Sequence, residues 1–343
     1  MASDSPSSPL SVTLFGDINV DVLMSIPSYP PPGGDAMATG LILRPGGSVA
    51  NTAIVLAKLG VQVRLIGRTG NDRWADIALA PLLEYNVDVS AVRRDAGEST
   101  GLIFIPVTPD GERTMFSYRG ANVRIPPQEI VPELLQGSRI LHISGYNFLE
   151  TPQRTSTWRA IDLAQQAGIP LSLDVGVEPA LRARAEIESL LPSVSILSLG
   201  MDEASPLFNV NSPEEAAQSA LERGVLAAAI KLGSQGCLLA DHDRVFRQPA
   251  FPVQVVDTTG AGDAFCAGLL FAYLRRLDLP VAATIANASG ALATAAIGGG
   301  PVLPGRDQLI HFLQSQENLK AEPYLQEALA ELSKGIQRDS YRG

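Results

Sequence analysis

Short apolar runs alternate with amphipathic stretches along most of this chain. The runs at 12–16 and 61–66 are typical of buried strands, whereas 51–59 and 74–85 repeat apolar residues at helical spacing. Further strands are predicted at 140–143, 170–174, 194–199 and 227–231, and further helices at 154–166 and 212–222. Because strands separated by helices indicate βαβ units, the pattern predicts an α/β fold with three αβα layers around a doubly wound, mostly parallel sheet.

Two stretches interrupt this alternation. Residues 20–43 and 99–118 lack amphipathic helices, and the second carries two short β-like runs around a turn at 109–112. An excursion of this kind is commonly a movable cover that excludes water from the chemistry. We expect a small β lid over the carboxyl edge of the main sheet, where ligands of such sheets bind. An ordinary surface meander is the alternative.

The two ends of the chain differ from the rest. Residues 1–10 are rich in Ser, Pro and Asp and bury too little apolar surface to offset their ordering entropy, which predicts a disordered tail. The main domain is predicted to cover 11–313. From 314 to 343, apolar residues recur at helical spacing in a charged background, which predicts a helical extension packed on that domain.

Composition narrows the class of function. The chain has 26 basic and 36 acidic residues, a formal net charge of −10, which argues against a protein that coats nucleic acid or anionic membrane. No apolar run reaches the roughly 18 residues of a bilayer span, and the first residues lack a signal-peptide pattern. We therefore expect a cytoplasmic protein. The two cysteines and three histidines form no metal-binding motif.

The strongest chemical motif is DTTGAGDAF, residues 257–265, between β-like residues and an apolar helical run. Gly260 and Gly262 let the backbone approach a phosphate closely, and the free amides at a helix N-terminus stabilise negative charge. Asp263, in the first turn, is placed to orient an attacking hydroxyl and accept its proton during phosphoryl transfer. The alternative is that the turn and Asp263 merely cap the helix.

A second motif, GGSVAN at 46–51, leads into the first long helix. Gly46 and Gly47 let a ligand approach the backbone, and Asn51 is a candidate donor to sugar hydroxyls. A plain loop and helix cap is the alternative. Asp17, Asn19 and Asp21 follow the first strand and offer acceptors that suit a polyhydroxylated ligand. The alternative is that these acids only solvate a loop. No GxxxxGK[ST] loop occurs and no GxGxxG follows the first strand, so any ATP site is of another kind.

The two motifs, in this order on an alternating α/β chain with an early β lid, resemble the ribokinase-like (PfkB) carbohydrate kinase family over about 11–313. The resemblance implies ATP-dependent, Mg²⁺-assisted phosphorylation of a hydroxyl on a small sugar or sugar acid, such as fructose, 2-keto-3-deoxygluconate or a ribose-like sugar. It implies Asp263 as the catalytic base. The residues that it implies for the anion hole are Gly260, Ala261 and Gly262, and those for sugar contacts are Asp17, Gly47 and Asn51.

The resemblance also supplies the residues expected at the nucleotide. The adenine pocket of the family maps onto the loop 231–236 and onto a helix near the end of the domain. The residues that we expect to contact the nucleotide are Lys231, Gly233, Gly236, Thr258, Gly260, Gly262 and Asn287.

Cation binding is a further implication of the resemblance. The NxxE motif of the family falls on 200–203, where Gly200 replaces the asparagine and Glu203 remains to organise Mg²⁺ through water. A monovalent cation such as K⁺ would bind through Asp257 and Thr259. Val302 stands where the family frequently has a serine and offers no side-chain oxygen, which argues against potassium dependence.

The substrate is less constrained than the reaction. Ser144-Gly145-Tyr146 stands where true ribokinases carry a glutamate, so strict ribose specificity loses support. Arg113 and Arg119 lie in or beside the predicted lid, and an arginine such as Arg119 could pair with a substrate carboxylate or phosphate. A surface arginine is the alternative. The rival functions are a nucleoside kinase of the same family and a non-catalytic sugar-binding protein. The resemblance also allows a homodimer joined through the lid strands.

Overall fold

The main sheet has nine strands within the described part of the chain, residues 10–316 and 322–334 of a computed structural model. The strands, in chain order, are β1 (Ser11–Phe15), β2 (Asn19–Ser25), β3 (Gly40–Gly46), β4 (Gln62–Gly70), β5 (Val92–Asp95), β6 (Gly101–Val107), β7 (Phe116–Tyr118), β8 (Leu141–Ser144), β9 (Leu171–Asp174), β10 (Val194–Gly200), β11 (Ala227–Lys231), β12 (Cys237–Asp241) and β13 (Val245–Gln248). The order across the main sheet is β13-β12-β11-β10-β9-β8-β1-β4-β5. Neighbours from β11 to β5 pair in parallel, and β12 and β13 add two antiparallel pairings at one edge.

Helices cover both faces of this sheet. They are α1 (Ser48–Lys58), α2 (Arg73–Glu84), α3 (Gln153–Gln166), α4 (Val177–Arg182), α5 (Arg184–Leu190), α6 (Met201–Phe208), α7 (Pro213–Glu222), α8 (Ala261–Leu274), α9 (Leu279–Ala293), α10 (Arg306–Gln314) and α11 (Pro323–Ser333). One buried apolar cluster draws on α1, α2 and α8 to α11, and a second draws on α3 to α7. Leu14 belongs to the first cluster and its neighbour Phe15 to the second, because successive strand residues point to opposite faces of a sheet.

A smaller sheet of four strands, in the order β3-β2-β6-β7, forms the predicted β lid. β2 pairs antiparallel with β3 and parallel with β6, and β6 and β7 pair antiparallel around the predicted turn. In that turn the Gly111 amide donates to the Thr108 carbonyl at 2.9 Å. Only three residues separate β1 from β2, so the small sheet begins where the first strand of the main sheet ends.

The predicted fold class is confirmed, a mostly parallel α/β sheet with a second, small sheet. The long predicted helices are present, although α1 begins at Ser48, directly after the glycine pair, rather than at 51. Part of the predicted extension is α11, whose Leu325, Ala328 and Leu332 are buried in the first cluster. The predicted tail lies outside the described residues except for Leu10, as do 317–321 and 335–343. No helix in the described ranges is long and apolar enough to cross a bilayer.

Candidate active site

A cleft of about 1000 Å³ lies between the small sheet and the carboxyl edge of the main sheet. Its walls include Ile103 and Ser117 from the small sheet and Asp174 from the main sheet. The predicted site residues that line it are Asp17, Asn19, Gly47, Asn51, Arg119, Glu203, Lys231, Thr259, Gly260, Gly262 and Asp263. The two motifs, more than 200 residues apart in the chain, therefore meet in one cavity.

Asp263 occupies the first turn of α8 and faces this cleft. The turn before the helix is made by Gly260, whose φ of 76° is a left-handed conformation that favours glycine. The amide of Ala261 donates to the carbonyl oxygen of Thr258 at 3.2 Å. Within the described chain, the amides of Gly260 and Gly262 have no protein acceptor. The anion hole expected here thus has two available donors, rather than three, at the positive end of the helix dipole.

Asn51 holds the Asp263 carboxylate. Its Nδ2 donates to Asp263 Oδ2 at 2.7 Å, while its Oδ1 accepts the amide of Gly300 at 2.8 Å. The Thr52 hydroxyl donates to the Asp263 carbonyl oxygen at 3.2 Å, so α1 fixes both the side chain and the backbone of this residue. Asn51 therefore orients Asp263 in this structure, and its expected contact with the sugar stays a prediction. Burial raises the pKa of Asp263 to about 6, against the lowering effect of the Asn51 hydrogen bond.

Asp17, directly after β1, is paired with Arg119. The guanidinium donates through Nε to Oδ2 at 2.9 Å and through Nη2 to Oδ1 at 2.8 Å, a bidentate arrangement. Gln153 adds a donor to Asp17 Oδ1 at 2.9 Å and accepts from Arg119 at 2.6 Å. Glu150 accepts a longer bond of 3.4 Å from the same guanidinium. The carboxylate expected to bind sugar hydroxyls is therefore already neutralised by a protein partner.

Asn19 and the glycine pair build the wall next to this ion pair. Asn19 Oδ1 accepts a hydrogen bond from Asn122 Nδ2 at 2.8 Å. Gly47 has a φ of 98°, and a Cβ there would overlap the carbonyl oxygen of Asp17. A Cβ on Gly46 would overlap the carboxylate of Asp21. The absence of side chains at Gly46 and Gly47 therefore leaves room for the Asp21 carboxylate and for the carbonyl oxygen of Asp17.

Asp21 belongs to the group of acceptors at 17–21 that the sequence analysis assigned to a polyhydroxylated ligand, and it lines the cleft. It lies on β2, is only 5% exposed, and its carboxylate has no hydrogen-bond partner among the described residues. Burial, together with the smaller effect of the nearby charges of Asp263 and Asp257, raises the pKa of Asp21 to about 7. A buried carboxylate without a partner, facing a polar cavity, is an acceptor that a bound hydroxyl would satisfy.

Lys231, the last residue of β11, lies among acids on the main-sheet wall. Its Nζ is 2.7 Å from Asp174 Oδ1 and 3.9 Å from Glu203 Oε2. Burial alone would lower the pKa of Lys231, but the two carboxylates raise it above its ordinary value, so the side chain is an ammonium. A Cβ built on Gly262 would lie 3.6 Å from Nζ, which places the ammonium beside the start of α8. Lys231 was expected at the adenine, whereas the structure places it next to the anion hole.

Glu203 also closes the first turn of α6. Its Oε2 accepts the amide of Gly200 at 2.9 Å, so the side chain is held at the cleft edge. The described residues contain no group of three or more His, Cys, Asp or Glu side chains able to enclose a metal ion. A single fixed carboxylate beside Asp174 does fit an ion that keeps most of its waters and binds the substrate phosphates.

Arg113, near the tip of the β6–β7 hairpin, contacts both residues expected to bind a monovalent cation. Its guanidinium donates to the side chains of Asp257 and Thr258 and, at 2.6 Å, to Thr259 Oγ1. The second carboxylate oxygen of Asp257 accepts the amide of Gly298 at 2.8 Å. A protein cation thus already neutralises Asp257, and it ties the small sheet to the loop before α8.

The other residues expected at the nucleotide do not line this cleft. Asn287 is mostly buried in α9, and its Nδ2 donates to the carbonyl oxygen of Pro249 at 2.8 Å. Gly233 and Gly236 turn the chain between β11 and β12 with φ of 55° and 91°. Thr258 contacts Arg113. A nucleotide that reached these residues would extend beyond the cavity that holds Asp263.

Comparison with known proteins agrees with this geometry. The model of the pfkB family of carbohydrate kinases matches residues 10–305. Fructokinase-1 of Zea mays is 30% identical over 318 residues, covering 88% of this chain and 97% of that protein. A ribokinase of Arabidopsis thaliana, solved with ribose and ATP, is 26% identical with a TM-score of 0.76, covering 89% of this chain and 99% of that one. An E. coli protein described as a ribokinase II, solved with ATP and Mg²⁺, is 25% identical with a TM-score of 0.79 over the same shares.

The family model covers most of the chain, and both motifs that define the cleft lie inside the matched region. This chain aligns with fructokinases, which are sugar kinases, over nearly their whole length. The chain belongs to the pfkB family of carbohydrate kinases and is an ATP-dependent sugar phosphotransferase.

Proposed function

We propose that this enzyme transfers the γ-phosphoryl group of ATP to a hydroxyl of a neutral sugar, with fructose as the first candidate and Asp263 as the base. The observation that carries the proposal is the Asp263 carboxylate, which faces the cleft at the start of α8 and is held by Asn51 at 2.7 Å. The fructokinase relatives support fructose as the substrate.

In the proposed reaction, the substrate hydroxyl oxygen forms a bond to the γ-phosphorus while the bond from that phosphorus to the β–γ bridging oxygen breaks. ADP leaves with the electron pair, and the hydroxyl proton passes to the Asp263 carboxylate. The amides of Gly260 and Gly262 stabilise the charge on the transferring group. A raised pKa suits Asp263 to this task, because a base with a pKa near the working pH both ionises and accepts a proton readily.

The cleft favours a neutral sugar over a sugar acid or a sugar phosphate. An arginine has five N–H donors, and Arg119 uses four of them on Asp17, Gln153 and Glu150. Its charge is therefore paired with protein carboxylates, which argues against the pairing with a substrate anion that the sequence left open. The acidic side chains that line the cleft are Asp17, Asp21, Glu98, Glu150, Asp174, Glu178, Glu203 and Asp263. They favour hydroxyl donors and repel an anion.

Asp21 is the side chain that we assign to a sugar hydroxyl. It faces the same cavity as Asp263, its carboxylate has no partner among the described residues, and Gly46 leaves it room. Asp17 supports this wall through Arg119 rather than contacting the sugar as a free carboxylate. A hydroxyl that donates to Asp21 would satisfy a buried acceptor that otherwise lowers stability.

Glu203, with Asp174 beside it, would hold Mg²⁺ through the ion's water shell. When bound, the ion would neutralise charge on the ATP phosphates. The nucleotide end of the site would include Thr258, Gly233, Gly236 and Asn287, beyond the cavity around Asp263. A cytoplasmic location and a homodimer stay predictions from the sequence.

The test is ADP release by the purified protein with Mg-ATP and a panel of fructose, ribose, 2-keto-3-deoxygluconate, fructose 6-phosphate and adenosine. We expect turnover on fructose and a loss of at least about 100-fold in kcat for Asp263→Asn. Asp307→Asn is the matched control, because Asp307 also lies in the first turn of a helix but not in the cleft. Turnover on the sugar acid or sugar phosphate alone would overturn the neutral substrate, and near-normal kcat in Asp263→Asn would overturn the base.

A further inference from the structure

The ends of three neighbouring strands place an ammonium where phosphate must bind. β9, β10 and β11 are adjacent and parallel, and their last residues are Asp174, Gly200 and Lys231. Gly200 and Lys231 are register partners, so the Lys231 side chain has to pass the end of β10 to reach Asp174 on the strand beyond. Neighbouring strands lie about 4.8 Å apart, so the extended lysine side chain spans the middle strand to reach Asp174 at 2.7 Å.

The ammonium is held, yet its donors are not used up. An ammonium has three N–H donors, and among the residues that the structure describes only Asp174, at 2.7 Å, lies within hydrogen-bond distance. Glu203, at 3.9 Å, attracts the charge without a hydrogen bond. The side chain is 19% exposed, and Lys231 lines the same cavity as Asp263, Gly260 and Gly262. The remaining donors are therefore available beside the anion hole.

We propose that Lys231 is a further catalytic residue, whose ammonium contacts the γ-phosphoryl group of ATP as it transfers, with Asp174 holding the side chain in place. As the bond breaks, its electron pair passes to the bridging oxygen of ADP, while the three oxygens of the transferring phosphoryl group keep their own negative charge; a fixed cation within reach stabilises that charge. This inference rests on ATP as the phosphoryl donor and does not depend on which sugar accepts the phosphoryl group.

The alternative is that Lys231 only neutralises Asp174, so the test must separate phosphate contact from charge balance. The variants are Lys231→Met, Lys231→Arg and the double variant Lys231→Met with Asp174→Asn, in which neither member of the pair carries a charge. Calorimetry would measure the affinity of each full-length variant for ADP and for the ATP analogue with nitrogen in the β–γ bridge. This readout needs no sugar, so it remains decisive if the proposed substrate is wrong.

We expect Lys231→Met to bind the analogue about 10-fold more weakly while its affinity for ADP changes less than about 2-fold, a difference that one charged hydrogen bond supplies. The double variant should keep this selective loss, and Lys231→Arg should recover part of it. With a working sugar, kcat of Lys231→Met should fall about 100-fold with little change in KM for the sugar. Equal losses for ADP and the analogue, or recovery of the analogue's affinity in the double variant, would overturn the proposal. If Lys231→Met fails to fold, the double variant carries the same comparison.

Discussion

Arg119 and Lys231 are both basic side chains paired with buried aspartates in one cleft, but they are held differently. The planar guanidinium of Arg119 is satisfied by Asp17, Gln153 and Glu150. Lys231 makes one short bond, to Asp174, and keeps donors facing the cavity. A rigid fork with four of its five donors used shapes a wall, whereas a point charge with spare donors can contact a ligand. Arg119 is thus a structural cation, and Lys231 is the cation that we propose contacts the phosphoryl group.

The largest expected effect concerns the structural side of this comparison. Replacing Arg119 by Met should lower the free energy of unfolding by about 3–5 kcal/mol, because Asp17 is left as an uncompensated buried charge. Adding Asp17→Asn should restore most of the loss, since the pair is then replaced by neutral groups. Urea denaturation of the two variants measures both values. If Arg119→Met alone were as stable as the wild type, Arg119 would not stabilise this wall of the cleft.

The next effect is the pH dependence of catalysis. Asp263, unlike Asp17, has no cation in contact, and burial raises its pKa to about 6. A base must be ionised, so kcat/KM should fall about tenfold per pH unit below pH 6 and stay level above it. If the decrease in kcat/KM at acid pH instead had its midpoint near pH 4, the pKa of Asp263 would not be raised, and the carboxylate would not be buried as the structure shows. A pH series at fixed ionic strength measures it.

The same carboxylates make stability depend on pH in the opposite sense. Asp263 and Asp21 have folded-state pKa values above the ordinary value of 3.8, so the folded protein binds their protons more tightly than the unfolded chain. Their stabilising contribution is complete below about pH 4 and is lost as pH rises through 6 and 7. Asp263→Asn should therefore raise the free energy of unfolding at pH 8 by about 1–3 kcal/mol and change it little near pH 4.

Strong local patterns in the sequence predicted the frame of this molecule. The alternation of apolar runs and amphipathic helices predicted β1, β4, β8 to β11 and the long helices, because each buries one regular face. The short helices α4, α5 and α6 were not predicted, since six to eight residues give too few turns to show a period. Asp263 and its glycine turn were found because a strand, turn and helix start are contiguous in sequence.

The side-chain contacts that the sequence could not predict join distant segments. Lys231 and Asp174 lie at the ends of β11 and β9, which are separated by β10, and only the strand order brings them together. Asp21 was grouped with Asn19 from the sequence, and the two side chains share a face of β2. Asn51 was read as a sugar donor because its partner Asp263 is 212 residues away. Side-chain partners at that separation do not follow from local pattern.

Asn51 provides a smaller and more selective perturbation of the base. Its hydrogen bond stabilises the ionised Asp263, so Asn51→Ala should move the acid limb of kcat/KM upward by about one pH unit. At pH 8 the loss should be only a few-fold, because the carboxylate still ionises there. Sugar KM should change little if Asn51 positions Asp263 as the structure shows. A large rise in KM with an unmoved acid limb would instead restore Asn51 as a sugar contact.

The smallest expected effect tests a third cation, Arg113, which also binds protein acceptors but comes from the lid hairpin. Its guanidinium contacts Asp257, Thr258 and Thr259, where the family resemblance places a monovalent cation. Because Arg113 already neutralises Asp257, replacing K⁺ by tetramethylammonium at constant ionic strength should change wild-type kcat by less than about 2-fold.

Arg113→Gln removes the arginine's charge and should make turnover depend on K⁺, with a stimulation of roughly 5-fold. Arg94→Gln is the matched control, since Arg94 forms an exposed ion pair with Asp76 away from the cleft. Strong potassium dependence in the wild type would show that Arg113 leaves Asp257 during turnover, and the lid contact would then belong to the resting enzyme alone.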